Sequence, residues 1–480
     1  MRYLSTRGQS PLQSFADMLL AGLAPDGGLY LPEAWPRFSP AEIADFASQP
    51  YADVAGAVIG RLVGDSFSNE ELAADIAAAY AGFDDKRIAP LVEIGQDLYL
   101  LELFHGPTLA FKDVALQVLG RLFERALKKR GGRTPRGGRT PRGGRTPRGG
   151  RATVLAATSG DTGSAAIAAL GGLANIEVFV LHPKGRVSEV QRRQMTAAPF
   201  ENVHNIALEG SFDDAQAIVK ALFAETEFAQ AVNLTAVNSI NFARIAAQSV
   251  YYFTAAAQLG APPVFVVPTG NFGDIFAGEA AMRMGLAVEK LVVATNANDI
   301  LARALNEGVY AAGRAQPTLS PSMDIQVASN FERALFEASC RNALWLREAM
   351  AQFAGAKSIA LPDGVRIALR ARYAAKRCDD AETLAAIARV HAETGRLIDP
   401  HTGVGVAAAY NLGEHRKGPV VVLSTAHPAK FPDAVERATG RIPPVPPRLS
   451  EALKATEKMV VLAADKGLVR AFIEAKVPPP

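Results

Sequence analysis

The stretch "VFVVPTGNFGDIFAG", residues 264–278, decides how this chain folds. Val264 to Val267 form an unbroken bulky apolar run, which reads as a strand buried on both faces, the habit of a parallel sheet. A glycine-bearing loop follows, and then a helix. Gly270 and Gly273 let the backbone approach a ligand closely, and amides at a helix N-terminus attract an anion. The loop is not a Walker A motif, because no Gly-Lys-Ser/Thr follows. It is not GxGxxG either, so a dinucleotide fold is not supported.

The same grammar recurs along the chain. "ATVLAAT" (152–158), "IEVFVLH" (176–182), "KLVVAT" (290–295) and "PVVVLS" (419–424) read as further buried parallel strands. "SFDDAQAIVKALFAETE" and "NFARIAAQSVYYFTAAAQLG" carry apolar residues at helical spacing between them. The expected class is therefore α/β, mostly parallel sheets covered by helices. Residues 1–95 lack the alternation and read as a separate, largely helical N-terminal region. Residues 96–245 and 246–480 are expected as a smaller and a larger α/β domain, the latter ending in a helix after "RIPPVPPRLS".

Composition bounds the function. The chain has 480 residues, 49% of them hydrophobic, which favours two or three domains. Two cysteines, Cys340 and Cys378, make neither a disulfide framework nor a Cys-rich zinc site. The seven histidines show no ligand spacing, so no metal is expected. Neither a secretory signal nor a run of roughly 18 apolar residues is seen, which points to a soluble, cytoplasmic protein without a membrane partner.

One segment argues otherwise. "GGRTPRGGRTPRGGRTPRGGR", residues 131–151, carries seven arginines and no acid. Taken alone it suggests a disordered RNA-binding tract. Without those arginines, 44 basic face 48 acidic side chains and the formal charge falls from +3 to −4, so the basicity belongs to one loop. The repeat lacks aromatic stacking platforms. It also sits in a helix-to-strand connection, normally about 2–6 residues long, at the end away from a ligand crevice. Gly131 is expected to end the helix before it. No specific nucleic-acid partner is expected.

Two more loops stand where ligands should. In "LFHGPTLAFKD", Lys112 follows Leu109-Ala110-Phe111 and opens a helix, where a cation is disfavoured. An isolated lysine is usually a solvated charge; an apolar setting instead suits an amine that forms a Schiff base with a carbonyl cofactor. "TSGDTGSAA", residues 158–166, lies between a strand and a helix. Ser159, Asp161 or Thr162 could simply cap that helix, but four polar residues bracketed by glycines favour an anion site.

With "MRYLSTRG", "DGGLYLP", "NSINFARI" and "STAHPAKF", these motifs cover nearly the whole chain outside 131–151. Together they resemble the longer class of threonine synthases, pyridoxal-phosphate enzymes of fold type II (tryptophan synthase β-like). The resemblance implies that Lys112 carries the cofactor and is catalytic, shuttling protons. It implies that Gly270, Asn271, Phe272, Gly273 and Asp274 hold the cofactor phosphate. Thr425 would face the pyridine nitrogen as a neutral hydroxyl, and Asp161 would lie near the cofactor's 3′ oxygen. Related enzymes often carry Asn there, and an ionised carboxylate would repel a phenolate. Thr158, Ser159 and Thr162 would bind the substrate's carboxylate region. Asn238, Ser239 and Arg244 would bind its phosphate, Arg244 with a planar fork suited to a dianion. His105 lies nearby without an assigned role.

The implied reaction turns O-phospho-L-homoserine and water into L-threonine and phosphate, the last step of threonine biosynthesis, in a monomer or homodimer. The alternative on the same scaffold is a phospho-lyase releasing 2-oxobutyrate.

Overall fold

The structure, a computed structural model, describes residues 1–133, 150–158, 160–235, 239–413 and 418–477. Most of the repeat, with Ser159 and Asn238, lies outside the described residues.

Contacts divide the chain into two units. The first comprises residues 1–18, 23–115 and 239–444; the second comprises 19–22, 116–238 and 445–480. Residues 1–95, expected as a region of their own, thus fall in the first unit apart from 19–22, and 96–245 is shared between the two. The reason lies in the apolar face of the helix Tyr51–Val63, which packs on the helix Phe242–Leu259. Rings join the same contact: Tyr3 lies 5.3 Å from Phe242, and Phe38 lies 5.2 Å from Phe253.

The first unit is built on a six-stranded sheet ordered Tyr373–Arg377, Lys290–Thr295, Val264–Pro268, Val420–Ser424, Leu98–Glu102, Leu91–Gly95. All neighbours are parallel except the last pair, a hairpin. The Val264–Pro268 strand is central and wholly buried. Each such side chain contributes roughly 1.5–3 kcal/mol by leaving water, and Phe265→Ala would cost about 3–5 kcal/mol. Its neighbours Lys290–Thr295 and Val420–Ser424 run the same way, so residues 269, 296 and 425 leave one edge of the sheet. Crevices form outside that edge in parallel sheets.

The second unit holds a parallel five-stranded sheet ordered Val460–Ala463, Val203–Glu209, Ile176–Pro183, Ala152–Ala157, Leu234–Thr235. Its core gathers Leu155, Phe179, Leu181, Ile206 and Leu208 with Val469 and Ile473 of the terminal helix Lys466–Lys476. The tail does more than expected: residues 460–463 add an edge strand. Their side chains are mostly exposed, so no buried-strand signature marks them.

The helix Lys112–Arg133 runs through Gly131, which therefore continues it instead of ending it. Among the described residues no helix is long and apolar enough to cross a membrane.

Candidate active site

Lys112 is buried at the first position of its helix, its Nζ 4.8 Å from the Phe111 ring centroid. The segment before it folds back on Asp113. That fully buried carboxylate accepts from the Thr108 amide at 2.7 Å and the Thr108 hydroxyl at 2.8 Å. A Cβ on Gly106 would lie 2.4 Å from the Asp113 Cβ, so the fold-back needs glycine there. Leu109 takes φ +61°, a left-handed conformation costing a branched residue about 1–2 kcal/mol.

Bonds to the segment after the Val420–Ser424 strand hold that strain. The Phe111 amide donates to the Thr425 carbonyl at 2.8 Å, and the His427 amide donates to the Leu109 carbonyl at 3.0 Å. Buried Lys430 donates to the Thr108 carbonyl at 2.8 Å. Burial pushes Asp113 up to about 6, against the Thr108 bonds and the Lys430 charge. Thr425 and Lys112 are thus positioned by one laced pair of segments.

The loop after Val264–Pro268 is shaped by close approach. A Cβ on Gly270 would meet the Ser322 carbonyl oxygen at 2.9 Å. The Ser322 amide donates to His401 Nε2 at 3.2 Å, so the imidazole proton sits on Nδ1 and reaches Asp399 at 2.8 Å. The left-handed residue is Phe272, φ +64°, and it caps the helix Gly273–Arg283 with no side-chain hydrogen bond. Its ring packs on Phe331 at 5.1 Å and Tyr373 at 5.2 Å.

Charge collects beside this loop. The Asp274 carboxylate is held by the Tyr251 hydroxyl and by the Tyr252 hydroxyl at 3.3 Å. Burial pushes it up to about 6, while both tyrosine bonds and the charges of Arg244 and Lys112 act the other way. Arg244 lies in the first turn of Phe242–Leu259, where Asn241 accepts from the Ala243 amide at 3.1 Å. Burial lowers its guanidinium to about 10, and Tyr251 and Asp274 oppose the loss of charge. Arg244 Nη1 and Asp274 Oδ2 are buried without a hydrogen-bond partner. Such groups cost about 1–3 kcal/mol each until something bonds them.

In the second unit, Thr158 Oγ1 accepts from the Gly160 and Gly163 amides at 3.0 Å and donates to the Gly160 carbonyl at 3.1 Å. Its hydroxyl is spent on the loop's own shape. Asp161 accepts from Gln191 Nε2 at 3.0 Å, and a Cβ on Gly160 would strike that glutamine's Oε1 at 2.4 Å. The helix Asp161–Leu170 is capped by Gly160 with no side-chain bond. Asp161 and Thr162 therefore occupy its first turn and do not cap it.

Within the first unit, then, Lys112, Gly270, Asn271, Phe272, Gly273, Asp274, Ser239, Arg244 and Thr425 are gathered by direct bonds and short-range charge. Thr158, Asp161 and Thr162 form a second group in the other unit. His105 Nε2 faces Glu102 at 2.9 Å. Sequence reasoning missed Asn330, Arg333, His401 and Lys430, all buried. Polar residues on helix faces otherwise apolar, as in "NFERALFEA" (330–338), were the available signal.

Pyridoxal phosphate needs an amine, a dianion cradle and a partner for its ring nitrogen. The donor set fits: a buried lysine, a helix-start loop with room only for glycine at 270, and the buried Thr425 at the end of the neighbouring strand.

Comparisons with known proteins agree. Family profiles match residues 2–80 as threonine synthase N terminus, 86–351 as pyridoxal-phosphate dependent enzyme, and 402–473 as threonine synthase C-terminal. A threonine synthase of Pseudomonas aeruginosa is 46% identical over 98% of both chains. The structure of a pyridoxal-phosphate-bound threonine synthase from Brucella melitensis superposes with a TM-score of 0.94 at 45% identity, covering 99% of each chain. Yeast threonine synthase follows at 0.91 and 37%, covering 98% of each. A maize serine racemase, 14% identical with a TM-score of 0.50, shares the fold alone. The chain belongs to the threonine synthase family of pyridoxal-phosphate enzymes of fold type II.

Proposed function

We propose that this chain converts O-phospho-L-homoserine and water into L-threonine and phosphate, with pyridoxal phosphate as cofactor. The observation that carries this reading is Arg244: a buried guanidinium with an unpartnered Nη1, charge-coupled to Asp274 beside the cofactor loop. A substrate phosphate would supply the partner that the Arg244 Nη1 lacks, and a cofactor phosphate would lie at the loop that opens the helix Gly273–Arg283.

Bound pyridoxal phosphate supplies the electron sink for negative charge developing on substrate carbon. Lys112 would hold it by its amine, Gly270 to Asp274 by its phosphate, and Thr425 at its ring nitrogen, where a neutral hydroxyl leaves that nitrogen's protonation unforced. Asp161 would stand near the cofactor's 3′ oxygen.

The substrate's phosphate is oriented by Arg244, Asn238 and Ser239, and its carboxylate region by Ser159 and Thr162, on a loop whose shape the Thr158 hydroxyl holds. Its amine freed from the cofactor by the incoming substrate's own amine, Lys112 then removes the Cα proton and assists removal of one Cβ proton. The Cγ–O bond breaks with its electron pair leaving on phosphate, whose charge Arg244 offsets. A proton enters at Cγ, water adds its oxygen at Cβ, and Lys112 returns a proton to Cα. Atoms balance as substrate plus water giving threonine plus phosphate.

Release of threonine and phosphate in equal amounts from O-phospho-L-homoserine supports the reading. Phosphate released with 2-oxobutyrate and ammonia overturns it in favour of a phospho-lyase.

A further inference from the structure

The geometry points to Asn330 and Arg333 as positioning residues that clamp the substrate-phosphate turn to the cofactor-phosphate loop. Asn330 is fully buried. Its Nδ2 donates to the Ser239 carbonyl at 3.1 Å and to the Asn271 carbonyl at 3.1 Å. Its own amide donates to the same Asn271 carbonyl at 3.0 Å. Arg333, also fully buried, donates through Nη1 to Asn330 Oδ1, through Nη2 to the Ile240 carbonyl at 2.6 Å, and through Nε to the Tyr30 carbonyl at 3.0 Å. Asn330, at the N-cap of the helix Phe331–Ala338, and Arg333 within it therefore hold four carbonyls, three of them from the Ser239–Ile240 and Asn271 segments.

The consequence follows from the planar trans peptide, whose C=O and N–H point in opposite directions. Drawing the carbonyls of Ser239, Ile240 and Asn271 toward the clamp turns the amides of Ile240, Asn241 and Phe272 to the other side. Asn241 and Phe272 are the N-cap residues of the helices Phe242–Leu259 and Gly273–Arg283, beside which the resemblance places the substrate and cofactor phosphates. A single clamp thereby sets both the direction of the amides and the spacing between the two anion sites. Gly273 belongs to the same fit: a Cβ there would lie 3.2 Å from Asn330 Nδ2. The arrangement is costly, since burial lowers Arg333 to about 9 and the guanidinium bonds only neutral oxygens here. A core that needed only filling would use an apolar residue.

This inference rests on the threonine synthase reading, and its test keeps the two separable. Asn330→Asp preserves size and the acceptor for Arg333, and adds a charge opposite to it, while withdrawing both carbonyl donors. We expect its KM for O-phospho-L-homoserine to rise roughly tenfold or more. Pyridoxal phosphate should bind more weakly by a similar factor. Binding of unphosphorylated L-homoserine to the cofactor-loaded enzyme, read by cofactor absorbance, should stay within about twofold of wild type. Arg333→Lys should shift the same quantities in the same direction, and decides the matter if the first variant does not fold. Unchanged phosphate-dependent constants, or equal weakening of both amino acids, would reduce the pair to a structural brace and overturn the clamp. Wild-type protein inert toward O-phospho-L-homoserine would overturn the functional reading instead, and cofactor affinity alone would then decide the clamp.

Discussion

The loop at 269–273 and the loop at 158–163 are each a strand end, a few small residues and a helix start, yet they are held by different means. The first is fixed from outside itself, by Asn330, by His401 acting on Ser322, and by a left-handed Phe272 wedged between Phe331 and Tyr373. Charge surrounds it: Asp274, Arg244 and Lys112 act on one another through buried space. The second is closed by its own Thr158 hydroxyl and by one glutamine. Rigid placement of fixed charge suits a permanently bound cofactor. A loop closed by a few local bonds suits a ligand that comes and goes with each turnover.

That contrast can be broken or sharpened in order of effect. Lys112→Ala, on the charged side, should lower turnover roughly a thousandfold or more and remove the absorbance band of bound cofactor. Retained turnover would detach the chemistry from this unit.

Asp113→Asn tests how far buried charge strains the same side. Its carboxyl is raised from 3.8 to about 6, so the folded protein holds a proton that the unfolded chain has already lost. Stability from this group is therefore greatest below pH 4 and is lost as pH rises through about 6, by about 3 kcal/mol in all. The stability of the Asn variant relative to wild type should improve by that order between pH 4 and pH 7 in thermal unfolding. A pH-independent difference would show that Asp113 is ionised throughout.

Arg244→Gln should raise the KM for O-phospho-L-homoserine about ten- to a hundredfold, the worth of a charge-assisted bond. Thr158→Val, in the other loop, should cost roughly 1–3 kcal/mol of local stability, read by hydrogen exchange in 160–164. Equal damage from Thr158→Val and Arg244→Gln to substrate affinity would erase the contrast. Trimming residues 131–151 to one unit should change neither turnover nor cofactor occupancy.

The sequence made the strands and the loops legible, because Val264 to Val267 and Thr153 to Ala156 announce burial by composition alone. It also singled out Lys112 and the 270–274 loop, whose residue types are conspicuous where they stand, whereas Arg244 stood out only through the motif around it. The supports stayed hidden. Asn330 and Arg333 meet Asn271 and Ile240 only through tertiary folding, at separations of 59 and 93 residues. The left-handed position fell on Phe272 and not on either glycine of the loop, because its ring has an aromatic pocket to fill. The strand Val460–Ala463 carries exposed side chains, so its partner decides it and its pattern does not.

Turnover of O-phospho-L-homoserine in deuterium oxide separates the two reactions this scaffold could perform. L-threonine carrying solvent deuterium at Cα and in the Cγ methyl group should form, one for one with phosphate. Phosphate release accompanied by 2-oxobutyrate and ammonia, with no threonine, would contradict it.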